Sequence, residues 1–198
     1  MTALELDQFL PATFTAPGLS EAEFFELCDK LPDAALVEYT GDGTVVVMPP
    51  HTPEESSRTM EMVLELDDWA EAQGQGSVCG PNTGFRFADG SLFCPDASWS
   101  DSTRWDEARK PGEHFSIFAP DFVIEVRSPD DKLRALREKM ETYLANGVQL
   151  GWLIDPMERT VTIYRPAQPP QVLDHPASVE GEGPVSGFVL NLDRILTG

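Results

Sequence analysis

Basic residues are scarce in this chain. Fourteen Lys and Arg stand against 34 Asp and Glu, a formal charge of −20 at pH 7. A protein that holds nucleic acid over a broad surface neutralises phosphates with many Lys and Arg, so this composition excludes that class. A polyanion would have to be met at a narrow basic patch. Cysteine is scarce too: Cys28, Cys79 and Cys94 are odd in number, widely spaced and without a C-x-x-C pair. This excludes a disulfide framework and a zinc knuckle. His51, His114 and His175 are equally scattered and lack the H-x-E or H-E-x-x-H spacing that puts a zinc ion beside its base. No apolar run approaches the ~18 residues of a membrane span, and MTALELDQFL carries acids where a secretory leader carries Lys or Arg. A soluble, cytoplasmic protein is expected.

What is present is enough for one core. A chain of 198 residues with 41% hydrophobic content reads as an irregular arm over residues 1–18, followed by a single domain over 19–198. SEAEFFELCDKL begins with Ser20 and has Glu23 three residues on, a capping box, so a short helix is predicted before Pro32. ALVEYTGDGTVVVMPP reads as a hairpin about Gly41-Asp42-Gly43. PEESSRTMEMVLELDDWAEAQG reads as a helix ending at Gly74, with Met60, Val63, Leu64 and Trp69 near helical spacing. Its Glu61, Glu65 and Asp68 form a line that reads as a solvated face.

GFRFADGSLFCPDASWS reads as a second hairpin turning at Asp89-Gly90, with Pro95 at a bulge or edge of its second strand. SDSTRWDEARKPGEHFS has no period and is expected to be a loop. PDFVIEVRS is a strand, residues 130–146 a helix, and LGWLIDP and TVTIYRP two more strands. A helical crossover between PDFVIEVRS and LGWLIDP predicts that these strands pair in parallel. The proline-rich stretch 167–184 shows no element, and GFVLNLDRIL ends the chain in a strand and turn. The fold class is mixed α and β, helices covering a sheet.

One residue carries the most chemical information. Side chains alternate along a strand, so Phe122, Ile124 and Val126 share one face and Val123, Glu125 and Arg127 the other. A carboxylate in the middle of an apolar strand must be paired or must bind a cation. Glu125 is therefore either a metal ligand or half of an ion pair with Arg127 or a basic residue of the next helix. Asp96 follows Pro95 in LFCPDASWS, where it either ligates a metal or caps an irregular backbone. Two carboxylates on neighbouring strands suit a hard cation such as Mg²⁺, whose other positions are filled by water and phosphate.

The helix after Glu125 is expected to start at Ser128-Pro129-Asp130-Asp131. It buries Leu133, Leu136, Met140, Tyr143 and Leu144, with Lys132 and Lys139 along one edge of that stripe. Lys139 either reaches back to the carboxylates or snorkels to water. Arg127, Lys132, Arg134, Arg137 and Lys139 gather five of the fourteen basic residues within thirteen positions, as a basic patch or as a helix face balanced by Glu138 and Glu141.

Four ordered segments, ALVEYTGDGTVVVMPP, FCPDASWS, PDFVIEVRSPDD and LREKMETYLANGVQLGWLID, resemble the Uma-type restriction endonuclease family over about residues 19–165. The family is a branch of the PD-(D/E)XK nuclease superfamily. The resemblance implies a restriction-endonuclease-like core with a mixed sheet flanked by helices, a Mg²⁺ or Mn²⁺ site, DNA as substrate and a homodimer. Asp96 matches the family's metal-binding Asp and Glu125 the Glu of the following strand, and Lys139 matches a lysine on the next helix. Where the superfamily has lysine two positions after that Glu, this chain has Arg127, which can bind phosphate but, staying protonated, cannot act as a base. In PEESSRT relatives often have a histidine after the Glu, and this chain has Ser56, so the roles of Glu55 and the helix-borne acid are open. Strong acidity and Arg127 support a second reading, a non-catalytic protein that keeps the nuclease fold as a binding or oligomerisation module.

Overall fold

The computed structural model describes residues 10–31, 35–108 and 117–197. Its strands are β1 (Ala12–Thr15), β2 (Leu36–Tyr39), β3 (Thr44–Met48), β4 (Ser77–Cys79), β5 (Phe85–Arg86), β6 (Leu92–Phe93), β7 (Ala97–Ser100), β8 (Phe122–Val126), β9 (Leu150–Asp155), β10 (Thr160–Tyr164), β11 (Gln171–Asp174), β12 (Ser178–Glu180) and β13 (Val189–Asn191). Its helices are α1 (Glu21–Cys28), α2 (Pro53–Gln73), α3 (Ser102–Ala108), α4 (Leu133–Ala145) and α5 (Asp193–Thr197). The class is mixed α and β, as the sequence predicts.

Two sheets organise the site. One has the order β1-β3-β2-β6-β5 and the other β11-β10-β9-β8-β7-β4. Within the larger sheet β8 and β9 run parallel, joined by α4 as the crossover helix, and the other neighbours are antiparallel. The alternation along β8 sorts its residues by face. Phe122 and Ile124 pack with Met62 and Leu66 of α2, Trp99, Trp152 and Phe188. Val123 packs on the opposite side with Leu136, Met140 and Tyr143 of α4 and with Phe85, Phe87 and Phe93, which connect to the smaller sheet. Glu125 thus belongs to the face where α4 and the second sheet converge.

Several expectations are corrected. The hairpin turning at Asp89-Gly90 forms as β5 and β6 of the smaller sheet, but its second strand does not run on to Ser100: after Cys94-Pro95-Asp96 the chain enters the larger sheet as β7. Pro95, which has no N–H to donate to a ladder, stands at that change of sheet. The crossover helix starts at Leu133 rather than at Ser128, because the Asp131 carboxylate accepts the Ser128 amide at 2.8 Å and closes a separate turn first. α3 occupies part of the expected loop 100–116, of which residues 109–116, with His114, lie outside the described residues.

Inside the expected irregular arm, Ala12–Thr15 pairs with β3, and residues 1–9 lie outside the described residues. The proline-rich stretch contains β11, β12 and a 3-10 turn at Gly183–Val185. In α2 the buried stripe is Thr59, Met62, Leu66 and Ala70, while Met60 and Leu64 face outward. Apolar residues at both spacings made the two faces hard to tell apart. Its acidic line is also partly engaged, since Glu65 accepts the Asn191 amide at 3.1 Å and Glu61 lies 3.6 Å from Arg194.

Candidate active site

The β7–β8 register pairs Ala97 with Ile124 and Ser98 with Val123. Asp96 directly precedes β7, and continuing that register brings it level with Glu125, near enough for its charge to act on the Glu125 carboxyl. Asp96 Oδ2 accepts the Val126 amide at 2.7 Å, which ties the end of the sheet-changing segment to β8. Asp96 therefore does hold irregular backbone in place, but with only one of its oxygens. Oδ1 lies 3.9 Å from His51 Nε2.

Glu125, 4% exposed, is met by α4. Lys139 Nζ lies 2.8 Å from Glu125 Oε1, and the Tyr143 hydroxyl donates to the same oxygen at 2.7 Å. Lys139 and Tyr143 are four apart on α4 and so project from adjacent turns of one face. The Lys139 ammonium also donates to Glu38 Oε1 at 2.7 Å, and Glu38 Oε1 accepts the Cys94 amide at 2.8 Å. Lys139 lies 5.6 Å from the Phe93 ring centroid and 5.8 Å from that of Tyr143. Its stem is buried and its charge is spent on carboxylates, so it does not snorkel to water.

Three carboxylates, Glu38, Asp96 and Glu125, therefore draw on one lysine. Burial pushes the Glu125 carboxyl up to about 8; Lys139 opposes the rise, and Asp96 and Glu38 add to it. Burial likewise raises Asp96, against the Val126 amide, Lys139 and His51. For Lys139 burial works to lower the value, but Glu125 and Glu38 outweigh it and hold the ammonium above the ordinary lysine range. Burial and then Glu125 raise Tyr143 well above a normal phenol. The cluster carries more negative than positive charge, in a place where charge is costly.

That surplus fits a divalent cation. Among the described residues, no hydrogen bond reaches Glu125 Oε2 or Asp96 Oδ1, although His51 stands 3.9 Å from the latter, so each carboxylate has one oxygen hydrogen-bonded to the protein and one that is not. No group of three or more His, Cys, Asp or Glu is arranged to hold a metal among the described residues. Two carboxylate oxygens are what the chain offers, which matches a hard cation that keeps several waters.

Arg127 takes a different place from Lys139. It contacts neither carboxylate: Nη1 donates to Asp155 Oδ2 at 2.8 Å, and Asp155 Oδ1 accepts the amides of Met157 and Glu158 at 3.1 Å. Arg127 does line a small cleft with Asp96, His51, Glu55, Arg58, Thr59, Val126 and Ser128, whose water-accessible volume is about 20 Å³. Glu55 lines it too, but Oε2 accepts the Thr52 amide at 2.8 Å to complete the α2 capping box. Lys132 is exposed at the start of α4.

Sequence reasoning missed Glu38, Tyr143 and Asp155. Glu38 interrupts the apolar β2 and is 6% exposed, the same signal that singled out Glu125. Tyr143 is indistinguishable from core until its hydroxyl is located.

No curated protein matches the chain. A solved structure described as "a putative nuclease belonging to DUF820 from Anabaena variabilis ATCC 29413" superposes with a TM-score of 0.73 at 26% identity, covering 88% of this chain and 96% of that one. The DrdV-DNA complex, solved by cryo-electron microscopy, matches at 16% identity over 62% of this chain and 83% of that one, with a TM-score of 0.35, and supports no argument. The family model Uma2, described as "Putative restriction endonuclease", matches residues 21–193, nearly the whole chain, and the chain therefore belongs to that family.

Proposed function

We propose that this protein is a metal-dependent endonuclease that hydrolyses phosphodiester bonds in DNA, with Asp96 and Glu125 as ligands to Mg²⁺ or Mn²⁺. The observation that carries the reading is the pair of carboxylate oxygens without a hydrogen bond, Asp96 Oδ1 and Glu125 Oε2, at neighbouring carboxylates beside a buried lysine. When bound, the cation supplies Lewis-acid activation of water and neutralises charge developing on the phosphate. The chain's own residues do the positioning. Tyr143 and Lys139 hold Glu125 Oε1, so its second oxygen keeps one direction, and the Val126 amide does the same for Asp96.

Lys139 stays protonated, so its part is electrostatic: it holds the carboxylates together and offers positive charge to the reacting phosphate. DNA comes from the family, and so does pairing into a homodimer.

The deciding experiment incubates purified protein with supercoiled and single-stranded DNA in Mg²⁺ or Mn²⁺, beside Glu125→Ala. Cleavage in the wild type is expected to fall at least about a hundredfold in the variant, the scale of losing an electrostatic stabiliser at a reacting centre. Equal cleavage by both would remove Glu125 from the chemistry. No cleavage by a folded wild type under any of these conditions would favour the binding or oligomerisation module, which the charge of −20 also fits.

A further inference from the structure

We propose that His51 is a catalytic residue of this site, its Nε2 accepting a hydrogen bond from the attacking water and fixing that water beside Asp96; this rests on the nuclease reading above. His51 is isolated in the sequence, and the fold brings it to the carboxylates. It stands between β3 of the smaller sheet and α2, which packs on the larger one. The helix start sets its place. Thr52 is the N-cap, Pro53 opens the helix, and Glu55 closes the capping box, with the Thr52 amide donating to Glu55 Oε2 at 2.8 Å. From the position just before this braced cap, His51 enters the cleft that Asp96 and Arg127 also line.

The separation selects what lies between the two side chains. Nε2 is 3.9 Å from Asp96 Oδ1, the oxygen that no hydrogen bond reaches among the described residues. That is too long for a direct hydrogen bond, and one water making two bonds of about 2.8 Å at roughly a right angle spans it. The cleft, at about 20 Å³, has room for one water. The side chains of His51 and Asp96 are 35% and 14% exposed, so solvent and a substrate oxygen can reach this point, whereas Lys139 and Glu125 lie deeper at 12% and 5%. A water that turns its lone pair toward phosphorus needs a neighbour that accepts one of its hydrogens. Of the other ionisable groups lining the cleft, Arg58 and Arg127 only donate, and Glu55 is engaged by Thr52 and Ser128. Asp96 Oδ1 is given to the cation in the reading above. An imidazole offers a nitrogen lone pair, and His51 supplies that acceptor.

The test compares full-length wild type, His51→Ala and His51→Gln in steady-state cleavage of DNA with Mn²⁺, with calorimetric titration of Mn²⁺ and melting curves for each. His51→Ala is expected to lower kcat about a hundredfold with KM nearly unchanged, the scale of misplacing a reactant by about an ångström. Its Mn²⁺ affinity is expected to stay within about threefold of wild type, since His51 holds water and not the cation. Added imidazole should restore part of the rate to His51→Ala and none to Glu125→Ala, and His51→Gln, whose amide oxygen accepts at similar reach, should fall between wild type and His51→Ala. A kcat within about threefold of wild type in folded His51→Ala overturns the assignment and leaves the metal site untouched. So does a rate loss matched by an equal loss of Mn²⁺ affinity, or one that neither imidazole nor glutamine repairs. If folded wild type cleaves no DNA, the nuclease reading fails and the assignment goes with it.

Discussion

At the scale of single residues, the site is a problem of shared charge. Lys139 is the one ion-pair partner of Glu38 and Glu125 among the described residues, so replacing it leaves two buried carboxylates without it. Lys139→Met is expected to destabilise the fold by about 3–5 kcal/mol, the cost of removing one partner from a buried pair. Chemical denaturation would measure it, and a loss below about 1 kcal/mol would mean that the carboxylates are already protonated or solvated. Tyr143→Phe removes one neutral donor from Glu125 and should cost only about 1 kcal/mol.

Its larger effect should be on the cation, since loss of a group that orients a ligand typically weakens metal binding by about 10–100-fold. Titration of Mn²⁺ by calorimetry separates that from a simple packing loss. Glu125 was legible from sequence because a carboxylate in FVIEV violates an apolar pattern. Glu38 in LVEY violates it equally, but two-sided burial of that strand is a product of how the two sheets meet. Its partner Lys139 is 101 residues away, a pairing that no local spacing encodes.

At the scale of elements, the order and type of most segments were readable, and the errors fall where the chain changes partners. The helices α1 and α2 start and stop at residues that satisfy their own backbone ends, a local property. The break at Pro95 is not local: whether the strand continues or transfers to another sheet depends on which edge is available. That transfer is what carries Asp96 to β8.

The neighbouring junction is equally constrained at Gly76, just after α2. Its φ is +89°, and a Cβ there would lie 2.1 Å from the Trp99 indole nitrogen, on β7. Gly76→Ala is expected to cost about 1–3 kcal/mol through overpacking, with backbone strain added. Gly90→Ala, at the same φ but with nothing within 4 Å, carries the strain alone and should cost less. Melting temperatures of the two variants test this, and equal losses would mean that Trp99 yields to the added methyl group.

At the scale of the whole molecule, the charge of −20 and the raised carboxyl at the site point the same way. Both make deprotonation costly in the folded state. Glu125 is held near 8 when folded, against an ordinary value of 4.5. The folded state therefore binds this proton more tightly than the unfolded chain. The resulting stability is fully present below pH 4.5 and is lost as pH rises through about 8. In EDTA the melting temperature should fall between pH 6 and pH 9, by several degrees for a loss of a few kcal/mol in a chain of this size.

A divalent cation supplies the missing positive charge only to ionised carboxylates, so Mg²⁺ or Mn²⁺ should raise the melting temperature more at pH 9 than at pH 6. Glu125→Gln should flatten the pH dependence in EDTA and remove most of the cation's effect, while distant surface acids keep their shared background. A pH profile identical in wild type and Glu125→Gln would place the titrating groups on the acidic surface instead.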